Sequence, residues 1–174
     1  MSKPGEVLLS TWSGLVHPEW VDYNHHLNDA YYLVVFSYAT EGLMAEIGMD
    51  AAGRAATGQT IYTLEVHLNY ILEVHEGVAI EVRTQILGVD AKRVHVFHTM
   101  HRQDDGRLLS TNEQMLTNID TTQPDLGPRT AAFAPQVAER LQQMYKRHCK
   151  LNRPANAGRC IALPCPKSPL QGHG

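Results

Sequence analysis

Residues 30–39, Ala-Tyr-Tyr-Leu-Val-Val-Phe-Ser-Tyr-Ala, carry no charge and put apolar or aromatic side chains on every side of a helical projection. A helix of that kind has no face to give to water, so the rest of the chain has to wrap it. Asn28 and Asp29 are good N-cap types just before it, and Gly48 after Ile47 is a suitable left-handed terminator. The helix so bounded has about 20 residues and is roughly 30 Å long. Gly42 inside it costs about 1 kcal/mol relative to alanine, which predicts either a kink or a close backbone contact at that point.

The remaining pattern is that of strands. Residues 7–12 form a short strand-like run ahead of the helix, and residues 49–57, rich in Ala and Gly, read as a loop or a short helical turn. Next, Tyr62, Leu64, Val66, Leu68 and Tyr70 alternate with Thr63, Glu65, His67 and Asn69, and two further alternating runs follow at 78–86 and 94–101. Asp105-Gly106 is a hairpin signal leading into a last strand over 109–119. Short connections predict an antiparallel meander of these four strands against the helix, hence an α+β fold. A second helix at 135–149, with Val137, Leu141, Met144 and Tyr145 on one side, is expected to pack outside.

A chain of 174 residues is enough for one domain with a substantial core. We assign residues 1–149 to that domain and expect weak order in the Pro- and Cys-containing segment 150–174. A net charge of −3 and a pI near 6.3 exclude the basic face of a nucleic-acid binder. No apolar run reaches the roughly 18 residues of a membrane span, and the N-terminus lacks a signal-peptide core. The three cysteines, Cys149, Cys160 and Cys165, make a poor disulfide framework, so a cytoplasmic location is expected.

The chain has no G-x-S-x-G elbow, Walker loop or G-x-G-x-x-G. His95, His98 and His101 look like metal ligands until they are placed on a strand, where His98 faces away from the other two. His17, His25 and His26 lie near Asp22 without a clear ligand geometry, and no metal or cofactor is expected. Asp22, six residues before the cap, is the acid that matters: a carboxylate, the unpaired N–H groups of a helix start and the aromatics Trp20, Tyr23, Tyr31 and Tyr32 can converge.

The segment Val16-x-Pro18-x-x-Val21-Asp22-x-Asn24-x-His26-x-Asn28-x-x-Tyr31, followed by Phe36 and Ala39, resembles the signature of hot-dog-fold acyl-CoA thioesterases of the 4-hydroxybenzoyl-CoA thioesterase type. The likeness covers roughly residues 7–120. It implies a hot-dog fold, a curved antiparallel sheet of about five strands around the long helix, with sites formed between subunits of a homodimer or homotetramer. It also makes Asp22 the catalytic carboxylate, as general base or as nucleophile, with N–H groups around Asn28, Asp29 and Ala30 as oxyanion donors. Pro18 to Asn24, Glu65-Val66-His67-x-x-Tyr70 and residues 111–115 are similar, more narrowly, to the thioesterases of carnitine breakdown that act on betainyl-CoA. That likeness implies an acyl-CoA substrate with a trimethylammonium group, held by ring faces and a carboxylate. Candidates are Trp20, Tyr23, Tyr31, Tyr62 and Tyr70, with Glu19 or Glu65 as the anion; Asn24, His26, Asn28 and His67 complete the expected binding set. His25 stands where the family commonly has glycine, so a side chain there is expected to narrow the site or to contribute its imidazole. Two alternatives remain: a hydratase or dehydratase using His25 or His26, and a non-catalytic acyl-CoA-binding module.

Overall fold

The start of the long helix is built as its sequence requires. In the computed structural model, which describes residues 8–161, α1 (Asp29–Glu46) begins at Asn28, whose side-chain oxygen accepts the Ala30 N–H at 3.0 Å. It ends where Gly48 takes φ +82° and the Met49 N–H turns back to the Met44 carbonyl at 2.7 Å. Gly42 makes the close contact: a Cβ there would fall on the carbonyl oxygen of Thr11. Thr11 belongs to β1 (Leu9–Leu15), so glycine at 42 is what lets the helix lie directly on that strand.

After α1 come α2 (Ala51–Thr57), β2 (Gln59–Tyr70), β3 (Ala79–Val89), β4 (Arg93–Arg102), β5 (Leu108–Asp120), a short β6 (Arg129–Thr130) and α3 (Pro135–His148). Every pairing is antiparallel, and the strand order is β1-β3-β4-β5-β2, with β6 on the end of β5. The expected four-strand meander is therefore only three strands long. β2 pairs with β5 at the far edge, because residues 71–78 cross the sheet end instead of forming a hairpin. Their backbone is engaged on the way: Ile71 and Leu72 donate to Leu109, Leu27 donates to Val74 at 2.8 Å, and His26 bridges to His75. Alternation in a sequence marks strands and faces, but not which strand is the neighbour.

A second difference lies inside β2. Its register against β5 slips between Thr63 and Glu65, a bulge that leaves Leu64 59% exposed. Before the bulge Ile61 and Thr63 face the helix; after it Val66, Leu68 and Tyr70 do. Tyr62 consequently points outward, against the uninterrupted alternation expected from sequence.

α1 buries Val35, Phe36, Ala39, Leu43 and Ile47 against Ile80, Val82, Ile86, Val96, Met100 and Leu116 of the sheet. Burying one such side chain contributes about 1.5–3 kcal/mol. The helix is not wrapped all round, however. Ala30, Leu33, Ser37 and Glu41 are exposed, and Leu33, Ser37 and Glu41 share a cavity with Val66 of β2, whereas Tyr38 lies on the other side, against Trp12 of β1 and Trp20. A polar thread crosses the core beneath α1: the fully buried His98 sits 2.8 Å from the Thr84 hydroxyl and 3.4 Å from that of Thr40, which donates to Gln114. Burial pushes the His98 imidazole down to about 3, so it is neutral.

α3 buries Val137, Leu141 and Met144 as expected, and also His148, whose Nδ1 accepts the Ile86 N–H left spare by a bulge in β3. Residues 150–161, where weak order was expected to begin, are tied to the sheet: Asn156 donates to the Thr111 hydroxyl at 2.7 Å and the Gly158 N–H to Glu113 at 2.7 Å. Cys165 and the rest of 162–174 lie outside the described residues, whereas Cys149 and Cys160 are free and exposed. Among the described residues, no helix is long and apolar enough to cross a membrane.

Candidate active site

Residues 21–28 form a tight loop pinned by a Val21–Leu27 bridge, and Asp22 organises it from inside. Its Oδ1 accepts the N–H groups of Asn24 at 2.8 Å and His26 at 3.2 Å, while its own N–H donates to His26 O at 2.9 Å. Oδ2 has no hydrogen-bond partner among the described residues. One carboxylate oxygen thus builds the loop and the other is not used in it. The turn brings His25 to φ +60°, a left-handed conformation that strains any residue with a Cβ. This explains the glycine of the related motif: the backbone demands it. His25 itself is exposed and is not among the residues lining the cavity described next.

Asp22 lines a cavity of about 330 Å³ together with His26, Asp29, Tyr32, Tyr70 and Glu73. α1 supplies Asp29 and Tyr32, the last residue of β2 supplies Tyr70, and the crossing segment 71–78 supplies Glu73. The rings of Tyr32 and Tyr70 meet at 89° with centroids 5.2 Å apart. Of the three N–H groups expected to serve a developing oxyanion, two are already engaged. Asn28 donates to Trp20 O at 2.9 Å, and Ala30 is shared by the side chains of Asn28 and Asp29. The Asp29 N–H has no partner among the described residues and is the available donor of the helix start.

Several predicted residues lie elsewhere. Trp20 is buried in the core, stacked with Tyr31 at 6.0 Å and against His17 at 4.4 Å, so neither Trp20 nor Tyr31 faces the Asp22 cavity. Tyr23 and Asn24 are exposed on the loop tip, Tyr23 at 91%. Glu65 and His67 face the outer side of the sheet, where they line a separate cavity of about 280 Å³ with His95 and Glu113. Within one chain they do not meet Asp22. Glu73 was missed altogether, because a polar residue in a connection carries no periodic signal. His26, Glu73 and His75 bring their ligand atoms within 4.8 Å of one another, a set that could hold a divalent ion. Among the basic residues near the strand ends, Arg93 pairs with Asp90, and Arg102 and Arg107 with Asp105.

Residues 16–141 match the model of the Thioesterase-like superfamily. The chain belongs to this family. It is a thioester hydrolase of hot-dog fold. Similar proteins include the betainyl-CoA thioesterase of Pseudomonas aeruginosa, 47% identical over 157 residues, which cover 90% of this chain and 96% of that one. A second is the L-carnitine dehydrogenase/betainyl-CoA thioesterase of Agrobacterium fabrum, 38% identical over 129 residues; the match covers 74% of this thioesterase and a quarter (25%) of its relative. Among solved structures, a hypothetical protein from Staphylococcus aureus in complex with CoA superposes with a TM-score of 0.81 at 30% identity, covering 91% of this thioesterase and 98% of that chain.

Proposed function

We propose that this thioesterase hydrolyses betainyl-CoA, or a related small acyl-CoA of carnitine breakdown, to the free acid and CoA. The observation that carries the mechanism is the meeting, in one cavity, of a carboxylate with an unengaged oxygen and the start of a buried helix. Asp22 Oδ2 either takes a proton from a water that attacks the thioester carbonyl or attacks that carbon itself. The carbonyl oxygen, becoming negative, accepts from the Asp29 N–H, and collapse of the adduct expels the CoA thiolate. The water route gives the free acid at once, whereas the nucleophilic route leaves an anhydride with Asp22 that a water molecule then opens to the free acid and the carboxylate. One such donor contributes roughly 3 kcal/mol to the transition state. His26, its backbone holding the Asp22 carboxylate in place, keeps a positioning role.

Identity to the Pseudomonas aeruginosa enzyme along most of both chains supports the choice of acyl group, and the superposition on a CoA complex supports the CoA ester. A second copy of the chain covers the open face of α1 and the edge of β2, in a homodimer or homotetramer. Leu33 and Val66, which share a cavity, otherwise stay exposed beside an unpaired strand edge. A CoA ester as substrate and the free Cys149 and Cys160 fit a cytoplasmic enzyme. Thiol release from a panel of cationic, aromatic and fatty CoA esters tests this reading. Hydrolysis of betainyl-CoA ahead of the other esters is expected; an enoyl product without free thiol, or binding without turnover, contradicts it.

A further inference from the structure

In betainyl-CoA the quaternary nitrogen is separated from the thioester carbonyl carbon by one methylene. The same N–C–C skeleton in a peptide spans about 2.5 Å, so the cation cannot lie far from the group that attacks the carbonyl. If Asp22 performs the attack, the trimethylammonium must sit in the Asp22 cavity. That cavity is lined by three carboxylates, Asp22, Asp29 and Glu73, and two tyrosine rings, and no lysine or arginine lines it. Its character is that of a cation site.

Both tyrosine hydroxyls are engaged, so the rings are what these two residues have left to offer the cavity. Tyr70 donates its hydroxyl to Asp29 O at 3.2 Å, and Tyr32 donates its own to Leu72 O at 3.3 Å. A trimethylammonium group donates no N–H hydrogen bond, so ring faces and nearby negative charge are what can recognise it. Both tyrosine hydroxyls stay protonated. Burial pushes Tyr32 up to about 12, with the charges of Tyr70 and Glu73 adding to the rise. Tyr70 is likewise raised, by burial and by Asp29. Resting on the betainyl-CoA reading above, we propose that Tyr32, Tyr70, Asp29 and Glu73 form the seat of the quaternary ammonium, with Tyr70 and Glu73 determining specificity for a cationic acyl group. This moves the recognition site away from Trp20, Tyr31 and Glu65, which face elsewhere. Anionic acyl groups such as succinyl are repelled from the same seat.

The test compares betainyl-CoA with 3,3-dimethylbutanoyl-CoA, its neutral isostere with carbon in place of nitrogen, and reads the ratio of their kcat/KM values. The wild type is expected to favour the cation. Tyr70→Leu and Glu73→Gln should each lower the ratio by about 3- to 30-fold, whatever loss the two substrates share, and Tyr70→Phe should restore it. A ratio unchanged within about twofold in both Tyr70→Leu and Glu73→Gln overturns the seat while leaving the hydrolysis of betainyl-CoA intact. Wild-type enzyme that does not hydrolyse betainyl-CoA overturns the underlying reading as well. Should Tyr70→Leu fail to fold, the exposed Glu73 carries the comparison alone.

Discussion

At the scale of single residues, Asp22 shows how one side chain combines structure and chemistry. Its Oδ1 closes the loop through two N–H groups and its Oδ2 has no hydrogen-bond partner among the described residues, so in the proposed mechanism the loop and the reaction depend on different oxygens. Asparagine at 22 keeps an acceptor oxygen for the loop and removes the base or nucleophile. Losses from removing such a group run from about 10²- to 10⁴-fold, and steady-state kinetics on betainyl-CoA should show a kcat drop of that order. His25 allows the opposite experiment. Its left-handed backbone costs about 1 kcal/mol that glycine would not pay, so His25→Gly should raise the urea midpoint. It should also leave thiol release intact, since the imidazole lies outside the cavity; a drop in midpoint would contradict the strain argument.

At the scale of elements, what could be read from the sequence and what could not divide along physical lines. The bounds of α1 were legible because caps and terminators act locally: Asn28 and Gly48 do what their residue types allow. Gly42 was legible as an anomaly, though which strand it touches was not. Gly42→Ala should cost about 1–3 kcal/mol in chemical denaturation, because the Thr11 carbonyl and the helix backbone must part. The bulge at Leu64 and the placement of β2 beside β5 were invisible, since both depend on pairing between distant segments. For the same reason Asp22 was found in a motif, whereas Glu73 became visible only when the 71–78 crossing brought it alongside. The histidine series on β4 divides as its alternation requires: His98 faces the core and His95 lies 2.6 Å from Glu113 on the outer side. His98, held near 3 when folded and titrating near 6.5 when unfolded, favours the unfolded chain as pH falls. Its contribution is complete above pH 6.5 and is lost on acidification at up to about 1.4 kcal/mol per pH unit. His148, also lowered by burial, acts in the same direction. Glu81, stabilised as an anion by Arg83, adds a loss only below its ordinary value of 4.5, so the window from 6.5 to 4.5 isolates the histidines. Stability measured across that window should fall by about 2 kcal/mol while the His98 ring signals do not titrate; a protonated His98 at pH 5 would contradict the buried neutral state.

At the scale of the whole molecule, the sequence predicted a helix with no polar face, and the single chain covers only part of it. Leu33 and the β2 residue Val66 stay exposed around one cavity, a surface that the proposed second copy would remove from water. Leu33→Asp should therefore shift sedimentation from an oligomer towards a monomer; a wild-type chain that sediments as a monomer at all concentrations would contradict the proposed assembly. The outer face of the sheet carries Glu65 and His67, motif residues that one chain keeps apart from Asp22. The proposed chemistry rests on the loop in front of α1. Its most direct test is the rate of CoA release from betainyl-CoA by wild type and by Asp22→Asn of matched thermal stability. A fall of at least about a hundredfold is predicted; an equal rate in the two proteins would show that the carboxylate before the helix does not drive the reaction.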